Sequence, residues 1–462
     1  MQGAVQLTNR TMALWPIPGE KAPRARLCGG RRITLTLFGL MLSLLASHAA
    51  SSFQVTAFAL DGLLTWTNAP VPGICTVEAA STLAGPWTPG QNAFAINSAD
   101  TLTVPITGGT RFHRMQGVAV PPTPQGFTNL VYAYGILETI AGNGLGRLDT
   151  SNYWSAAYEG GPATLAALSR PHIAMADRAG NVYIADKNSH SVLRVAPDGT
   201  IHTHAGTHTG GFNGEGPAPS TTLQLNFPNG LWVRSDGTVY VLDTDNGRVR
   251  RVSTNGIMTT LFLATSDGSA LNTGRGLWVK DDEALAYFCA GTKVRSWTST
   301  NKLSTLASGF SDLGSLFVEP GGDVIVCDRG ANYAYRVHPN GSSVVLAGNG
   351  NTNGGGDGFS ALATGLYGVR SPWPVPTGGY LLLSHEGCQL WYLDSAGIIH
   401  LLLNGSGGLT HNGDGAFFYD PSVPKISEGR SVTMDYDGNV LICESDYGYI
   451  RRIRFQRIPP AS

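Results

Sequence analysis

Five residues that could bind an anion or a metal ion stand at matching places in a repeated pattern. Each lies at or just before the start of an apolar strand that leads through a glycine turn into a second strand. Guanidinium groups bind carboxylate or phosphate in bidentate fashion, so arginines that converge would form an anion site. The alternative is that these arginines pair with acidic residues of adjacent loops or with backbone carbonyls. The candidate ligand-binding residues are His172, Asn229, Arg275, Arg370 and Arg430.

A second repeated set consists of carboxylates at the end of the second strand. An acidic side chain at this place can accept the backbone N–H groups of the polar turn that follows. Recurrence in most repeats favours a structural role, because a catalytic pair of acids needs two different environments and symmetry provides equal ones. The predicted structural strand-end carboxylates are Asp186, Asp243, Asp328 and Glu444. Another repeat carries His385 where the pattern expects the acid.

Two further groups of residues could hold a metal ion. His202 and His204 are two residues apart on a predicted strand and therefore face one side, with His208 nearby. Since no cysteine or fourth histidine is close in sequence, surface histidines are the favoured interpretation. Four acids in glycine-rich loops could offer oxygens to calcium, but these loops lack the alternating acidic spacing of a calcium loop. We therefore predict no cofactor and no metal, with calcium as the alternative. The loop acids are Glu159, Glu215, Asp357 and Asp414.

The motifs of common enzyme classes are absent from the sequence. It contains no G-x-S-x-G nucleophile, no H-E-x-x-H metal motif and no phosphate-binding G-x-x-x-x-G-K loop. We predict no catalytic residue. The chain has 31 basic and 32 acidic residues and a net charge of −1, so nothing in its charge favours nucleic acid as a partner.

Six copies of one strand pattern, running from about residue 170 to the C-terminus, would position these residues. The clearest copies are HIAMADRAGNVYIADKNSHSVLRV (His172–Val195) and NGLWVRSDGTVYVLDTDNGRVRRV (Asn229–Val252). A fixed period indicates a repeat architecture, because no single unit can bury its own apolar face. The chain also has 60 glycines and only 14% charged residues. Many tight turns between short strands predict an all-β fold.

The loops between the strands carry a resemblance to a known family. AGNG (Ala141–Gly144) is followed by GGPATLAALSRP (Gly160–Pro171) and then by GNVYIADKNSHSVLRV (Gly180–Val195). This order resembles NHL-repeat β-propellers. The resemblance implies a six-bladed propeller over residues 129–455, with the five candidate ligand-binding residues at one mouth of its central channel. We expect the strand Ile136–Ala141 to complete the last blade and close the ring.

The resemblance also implies a function. NHL-type propellers mostly act as recognition platforms, so we expect an exported ligand- or protein-binding propeller whose partner is a protein, a glycan or a small anion. Six-bladed propellers of related architecture include calcium-dependent lactonases and a peptide-processing lyase with a metal in the channel. An enzyme of that type is the first alternative, although the channel mouth offers only His172 and Asn229 as metal ligands. A structural cell-surface spacer is the second alternative.

The N-terminal part of the sequence predicts export. Arg31 and Arg32 precede the apolar run Ile33–Ala46 and a group of small residues, which is typical of a secretory signal peptide within residues 1–50. We therefore expect the protein in the periplasm, on the cell surface or secreted. The apolar run is short for a membrane span, so we predict no span in the mature chain, with an uncleaved membrane anchor as the alternative.

The rest of the chain divides into three further parts. Alternating short strands over residues 51–118 predict a small antiparallel β-sandwich. Residues 119–128 contain several prolines and predict an extended linker, and residues 456–462 form a tail. Cys289, Cys327 and Cys443 recur in different repeats, so we expect small buried residues that are too far apart for disulfides.

Overall fold

The computed structural model describes two compact units, and the chain passes from the first to the second between Val120 and Pro121. The predicted signal peptide lies outside the described residues, apart from Arg10 and Thr11, and so does most of the predicted tail. No helix in the described part of the chain combines the length and apolar character needed to cross a bilayer. The described residues are 10–11, 52–59, 61–105, 111–145, 151–271, 273–300, 302–405 and 411–456.

The first unit contains two antiparallel sheets, with strand orders β1-β7-β4-β5 and β2-β3-β6. The strands are β1 (Arg10–Thr11), β2 (Gln54–Phe58), β3 (Leu63–Thr67), β4 (Gly73–Ala80), β5 (Thr88–Ala95), β6 (Asp100–Thr103) and β7 (Phe112–Ala119). Alternate residues of both sheets point into one core, which includes Trp66, Val77 and Met115. This face-to-face packing is that of a small β-sandwich.

The segment predicted as an extended linker is partly helical. Helix α1 spans Pro124–Val131, with Thr123 as its N-cap and Pro124 in its first turn. Proline is favoured at that place because its fixed φ suits a helix and its missing N–H would be unpaired anyway. Phe127 then stacks on His400 of the second unit at a centroid distance of 4.0 Å. Packing of this short apolar face explains why the segment is not extended.

The second unit is a β-propeller. Its described residues form six antiparallel sheets of four main strands each, which we call blades 1 to 6. Blades 1 to 5 are β9–β12, β14–β17, β18–β21, β22–β25 and β26–β29, and β13 adds a short fifth strand to blade 2. Blade 6 is β30–β32 together with β8. The strands are β8 (Leu137–Ala141), β9 (Pro171–Ala176), β10 (Val182–Asp186), β11 (Ser191–Val195), β12 (Ile201–Gly206), β13 (Ala218–Pro219), β14 (Pro228–Val233), β15 (Val239–Asp243), β16 (Arg248–Val252), β17 (Ile257–Leu263), β18 (Leu277–Val279), β19 (Leu285–Ala290), β20 (Lys293–Thr298), β21 (Lys302–Ser308), β22 (Leu313–Val318), β23 (Val324–Asp328), β24 (Tyr333–Val337), β25 (Ser343–Ala347), β26 (Val369–Pro374), β27 (Tyr380–Ser384), β28 (Gln389–Leu393), β29 (Ile399–Asn404), β30 (Gly429–Met434), β31 (Val440–Glu444) and β32 (Tyr449–Ile453).

The six innermost strands contact their neighbours in a closed ring around a central channel. β30 of blade 6 packs on β9 of blade 1, as β9 packs on β14 and so on around the ring. The seam is closed by the N-terminal strand of the unit, since β8 pairs with β32 in the register Ala141 to Ile450 and Leu137 to Ile453. The predicted closure is therefore confirmed. Full closure removes the open sheet edge that a linear array would leave.

Apolar residues hold each blade to the next. Val182 and Ile184 of blade 1 pack on Leu441 and Cys443 of blade 6 in a core of fully or almost fully buried residues. Cys289, Cys327 and Cys443 are buried and free, as expected, and Cys75 of the first unit is as well. We call the channel end where the innermost strands begin the start end, and the end where they turn into the second strands the turn end.

Short 3₁₀ helices lie in the loops of the second unit. They span Ala156–Tyr158, Ala163–Leu165, Lys187–Ser189, Ser220–Thr222, Thr244–Asn246 and Ala361–Ala363.

Candidate functional site

Four of the five predicted ligand-binding residues occupy β-bulges at the start of innermost strands. In blade 1, Pro171 pairs with Asp186 and Ile173 pairs with Ala185, so His172 is the extra residue between them. A bulge turns the extra side chain away from the regular ladder and is common next to functional sites. Arg275 has no such bulge and lies two residues before β18. The other three bulge residues are Asn229, Arg370 and Arg430.

The strand-end carboxylates hold the loops that lead into these innermost strands. Each accepts a hydrogen bond from the backbone N–H of the residue seventeen positions earlier. Each of the four residues is at most 1% exposed. We expected them to accept from the N–H groups of the following turn, and Asp328 also does so, from Ala331 at 3.3 Å. The four bonds join Ser169 to Asp186 (2.7 Å), Asn226 to Asp243 (2.6 Å), Ser311 to Asp328 (2.7 Å) and Ser427 to Glu444 (2.9 Å).

The basic residues of the predicted set share one electrostatic environment at the start end. Burial lowers the pKa of His172 well below its usual value, and the positive charges of Arg430, Arg370, Lys187 and Arg275 lower it further. His172 is therefore neutral, and its Nε2 has no hydrogen-bond partner among the described residues. Asn229 occupies the equivalent bulge of blade 2 and is also buried.

Arg370 differs from the other arginines of this end. It is 2% exposed, and neither Nη1 nor Nη2 has a hydrogen-bond partner in the part of the chain that the structure describes. Burial, followed by the charges of Arg430, Arg275 and Arg329, lowers the pKa of Arg370 well below its usual value. A buried charge without a partner is strongly unfavourable. The start end therefore holds a guanidinium whose charge the described residues do not neutralise by contact.

The other arginines of the predicted set have acidic partners. Arg430 contacts Asp446 at 3.2 Å, and Arg275 contacts Asp312 at 2.6 Å. Asp446 also lies 3.5 Å from Arg170. Pairing with loop acids is the alternative to an anion site that the sequence left open. Among the described residues, Arg275 and Arg430 are paired in this way, and Arg370 is not.

Sequence reasoning missed most of the residues that surround the predicted set. Lys187, Arg329 and Asp446 all lie one or two positions after a strand-end carboxylate. Arg329 pairs with Asp312 at 3.0 Å and with Glu386 at 2.8 Å. The signal that could have found them is variation, because these positions change charge from blade to blade while the carboxylate before them recurs.

Blade 5 shows that one sequence prediction, His385 at the strand-end position, is wrong by one residue. Ser384, which pairs with Val369, occupies the strand-end position, so His385 is the next residue and does not replace the carboxylate. Nε2 of His385 lies 3.6 Å from Glu428. Glu428 shares a hydrogen bond with Asp446. This bond and burial raise the pKa of Glu428 to about 8, so Glu428 is protonated at neutral pH.

His385, Glu428 and Asp446 form a group that could hold a metal ion. Their nearest ligand atoms all lie within 4.8 Å of one another. Asp446 is already engaged by Arg430 and Arg170, and Glu428 carries a proton. Cationic neighbours and a protonated carboxyl both oppose a divalent cation.

The other candidate metal residues have protein partners. His202 contacts Glu159 at 3.1 Å, and His208 stacks on Trp154, whereas His204 packs on Tyr183. These side chains therefore form separate contacts. The remaining loop acids, Glu215, Asp357 and Asp414, bind Arg248, the backbone N–H of Leu401 and Arg451 respectively.

The structure resembles other solved proteins over most of its length, although no protein-family model and no curated protein matches the sequence. A protein of unknown function from Bacteroides thetaiotaomicron is 12% identical, with a TM-score of 0.55 over 85% of this chain and 93% of that chain. An auxiliary nutrient binding protein from Bacteroides ovatus is 12% identical, with a TM-score of 0.53 over 85% and 93%. One from Bacteroides thetaiotaomicron is also 12% identical, with a TM-score of 0.52 over 86% and 94%. At this identity the likeness establishes the fold, a β-propeller in a nearly all-β chain.

Proposed function

We propose that the protein is an exported binding propeller that holds a small anion, bearing a carboxylate or phosphate group, at the start end of its channel. The observation that supports this most is the buried guanidinium of Arg370, whose Nη atoms lack partners. A bidentate anion would supply the missing acceptors and offset the charges of Arg430, Arg275 and Arg329 that act on Arg370. Little of the site is exposed, which favours a small ligand or a single acidic group of a larger one.

Two solved structures with the same fold support a binding role by their descriptions as auxiliary nutrient binding proteins. Under this proposal a glycan or protein partner would insert an acidic group into the channel. The proposal includes export by the signal peptide predicted within residues 1–50, because a protein that binds nutrients outside the cell must leave the cytoplasm.

A metal-dependent enzyme is the second candidate, and one observation favours it. His385, Glu428 and Asp446 bring three ligand atoms together in the same channel end. Binding of Mn²⁺ or Ca²⁺ that requires His385 would support this candidate. The proton on Glu428 and the arginines on Asp446 make it the weaker of the two.

Thermal unfolding with added phosphate and citrate, at ionic strength matched with sodium chloride, tests the anion proposal. The melting temperature should rise saturably, and at an anion concentration of 100 Kd the free energy of unfolding should rise by about 2.7 kcal/mol. Arg370→Met should abolish this response while the protein still folds.

The control is Lys280→Met, which removes the same charge at the exposed turn end, where Lys280 pairs with Asp282. That variant should keep the full response. Retention of the response in Arg370→Met, or equal loss in both variants, would contradict the proposal.

A further inference from the structure

The turn end of the channel is aromatic where the start end is basic. In blade 4 the start-end residue, equivalent to His172 of blade 1, is Gly314. On every innermost strand the residue three positions after the start-end residue lies roughly 10 Å further along the channel. In blades 1 to 5 this residue is a methionine or an aromatic one, and in blade 6 it is a threonine. The six residues are Met175, Trp232, Trp278, Phe317, Trp373 and Thr433.

These aromatic side chains form one continuous surface. The ring centroid of Trp232 lies 6.4 Å from Phe317 and 6.5 Å from Trp373, and those two rings are 5.2 Å apart. A cavity of about 330 Å³ opens on this surface and is also lined by Asp435 and Tyr436. The cavity is large enough for a small organic group, and its lining combines four aromatic rings with aliphatic side chains.

The turns at this end of the channel are acidic. They join the first and second strands of the six blades, at residues 177–181, 234–238, 280–285, 319–323, 375–379 and 435–439. Together they contain nine acidic and three basic residues. Arg251 and Arg336 of third strands pair with Glu283 and Glu319, which still leaves an excess of carboxylates. A negative rim attracts cations into the cavity and repels anions.

We propose that this cavity binds a quaternary ammonium group, at a site distinct from the anion site. Aromatic rings attract a cation through their negative faces, and a quaternary ammonium needs no hydrogen-bond acceptor. A sugar would need several polar partners, but the lining is almost entirely apolar. A primary amine would need free acceptors, but the carboxylate of Asp435 already accepts three hydrogen bonds from Asn439 and Asp437.

A pair of probes that differ in charge alone tests this proposal. Choline and its neutral analogue 3,3-dimethylbutan-1-ol have the same shape, so isothermal titration of the full chain with each isolates the charge. Choline should bind at least tenfold more tightly than the neutral analogue. Equal affinities would show an ordinary apolar cavity and overturn the proposal, as would binding of methyl glucoside or butylamine in preference to choline.

Substitutions at Trp373 separate aromatic attraction from apolar contact. Trp373→Phe keeps a ring and should hold choline affinity within about threefold, whereas Trp373→Leu should lower it about tenfold. The control is Trp87→Leu, which removes a half-buried indole of the first unit and should change nothing. Thermal melts show whether each variant is folded. Two further variants, Trp373→Ala and Tyr436→Leu, remove other parts of the same lining. If choline affinity is unchanged in every variant that folds, the site lies elsewhere and the proposal is refuted.

Discussion

Two fully buried arginines of the propeller, Arg451 and Arg370, have opposite surroundings. Arg451 on the third strand of blade 6 donates to Glu444 at 2.9 Å, to Asp414 at 2.7 Å and to the carbonyl of Asn412 at 3.1 Å. Arg370 on the innermost strand of blade 5 is equally inaccessible, yet its Nη atoms have no partner in the described residues. Burial alone therefore does not identify a structural arginine. Arg451 is structural because acidic and carbonyl partners neutralise its guanidinium, whereas Arg370 in the channel has no such partners at its Nη atoms among the described residues.

The strand-end carboxylates show a graded version of the same difference. Burial raises the pKa of Glu444, but the hydrogen bond from His411 and the charge of Arg451 outweigh it and the net shift is downward. Asp243 has Arg250 at the longer distance of 3.7 Å, and burial raises its pKa to about 6. In blade 1 the position equivalent to Arg250 is a leucine, and burial raises the pKa of Asp186 to about 7.

The largest expected effect comes from breaking the paired arginine. Arg451→Met should lower the free energy of unfolding by about 3–5 kcal/mol, because Glu444 would remain buried without its counter-charge. Denaturant unfolding measures this loss. Arg452→Met is the control: Arg452 is 31% exposed on its side chain and shares Glu138 with Arg454, so it should cost less than about 1 kcal/mol. Equal effects of the two substitutions would contradict the distinction between buried and exposed pairs.

The second effect concerns the carboxylate without an arginine. The pKa of Asp186 is about 7 in the folded chain, against about 4 in the unfolded chain. Between these values the folded chain holds a proton that the unfolded chain has lost, so the free energy of unfolding falls as pH rises from 4 to 7 and the loss is constant above pH 7.

Asp186→Asn removes this titration and keeps an oxygen that accepts from Ser169. The variant should match the wild type at pH 4 and exceed its stability by about 4 kcal/mol at pH 8, since each unit of difference in pKa is worth about 1.4 kcal/mol. Denaturant unfolding across this pH range measures the difference. Parallel pH curves for the two proteins would show that Asp186 is not the group that titrates.

The part of this architecture that depends on local patterns could be predicted from the sequence. Glycine turns between short apolar strands defined the blades, and the strand Ile136–Ala141 at one end of the repeats predicted the seam. The partners of the channel residues could not be predicted, because Asp446, Arg329 and Lys187 reach the channel from loops of different blades. Helix α1 has a local signal in the sequence, since Thr123 and Pro124 are typical of a helix start, but the contact of Phe127 with His400 could not be predicted.

The smallest expected effect is also the one that separates the two arginines most directly. Arg370→Met replaces an unpaired buried charge by an apolar side chain of similar length. In a zwitterionic buffer of low ionic strength it should therefore raise the free energy of unfolding by about 2 kcal/mol, opposite in sign to Arg451→Met. Denaturant unfolding of both variants in the same buffer measures the two signs. A loss of several kcal/mol in Arg370→Met would mean that the protein itself neutralises Arg370, and the channel would then hold a structural arginine like that of blade 6.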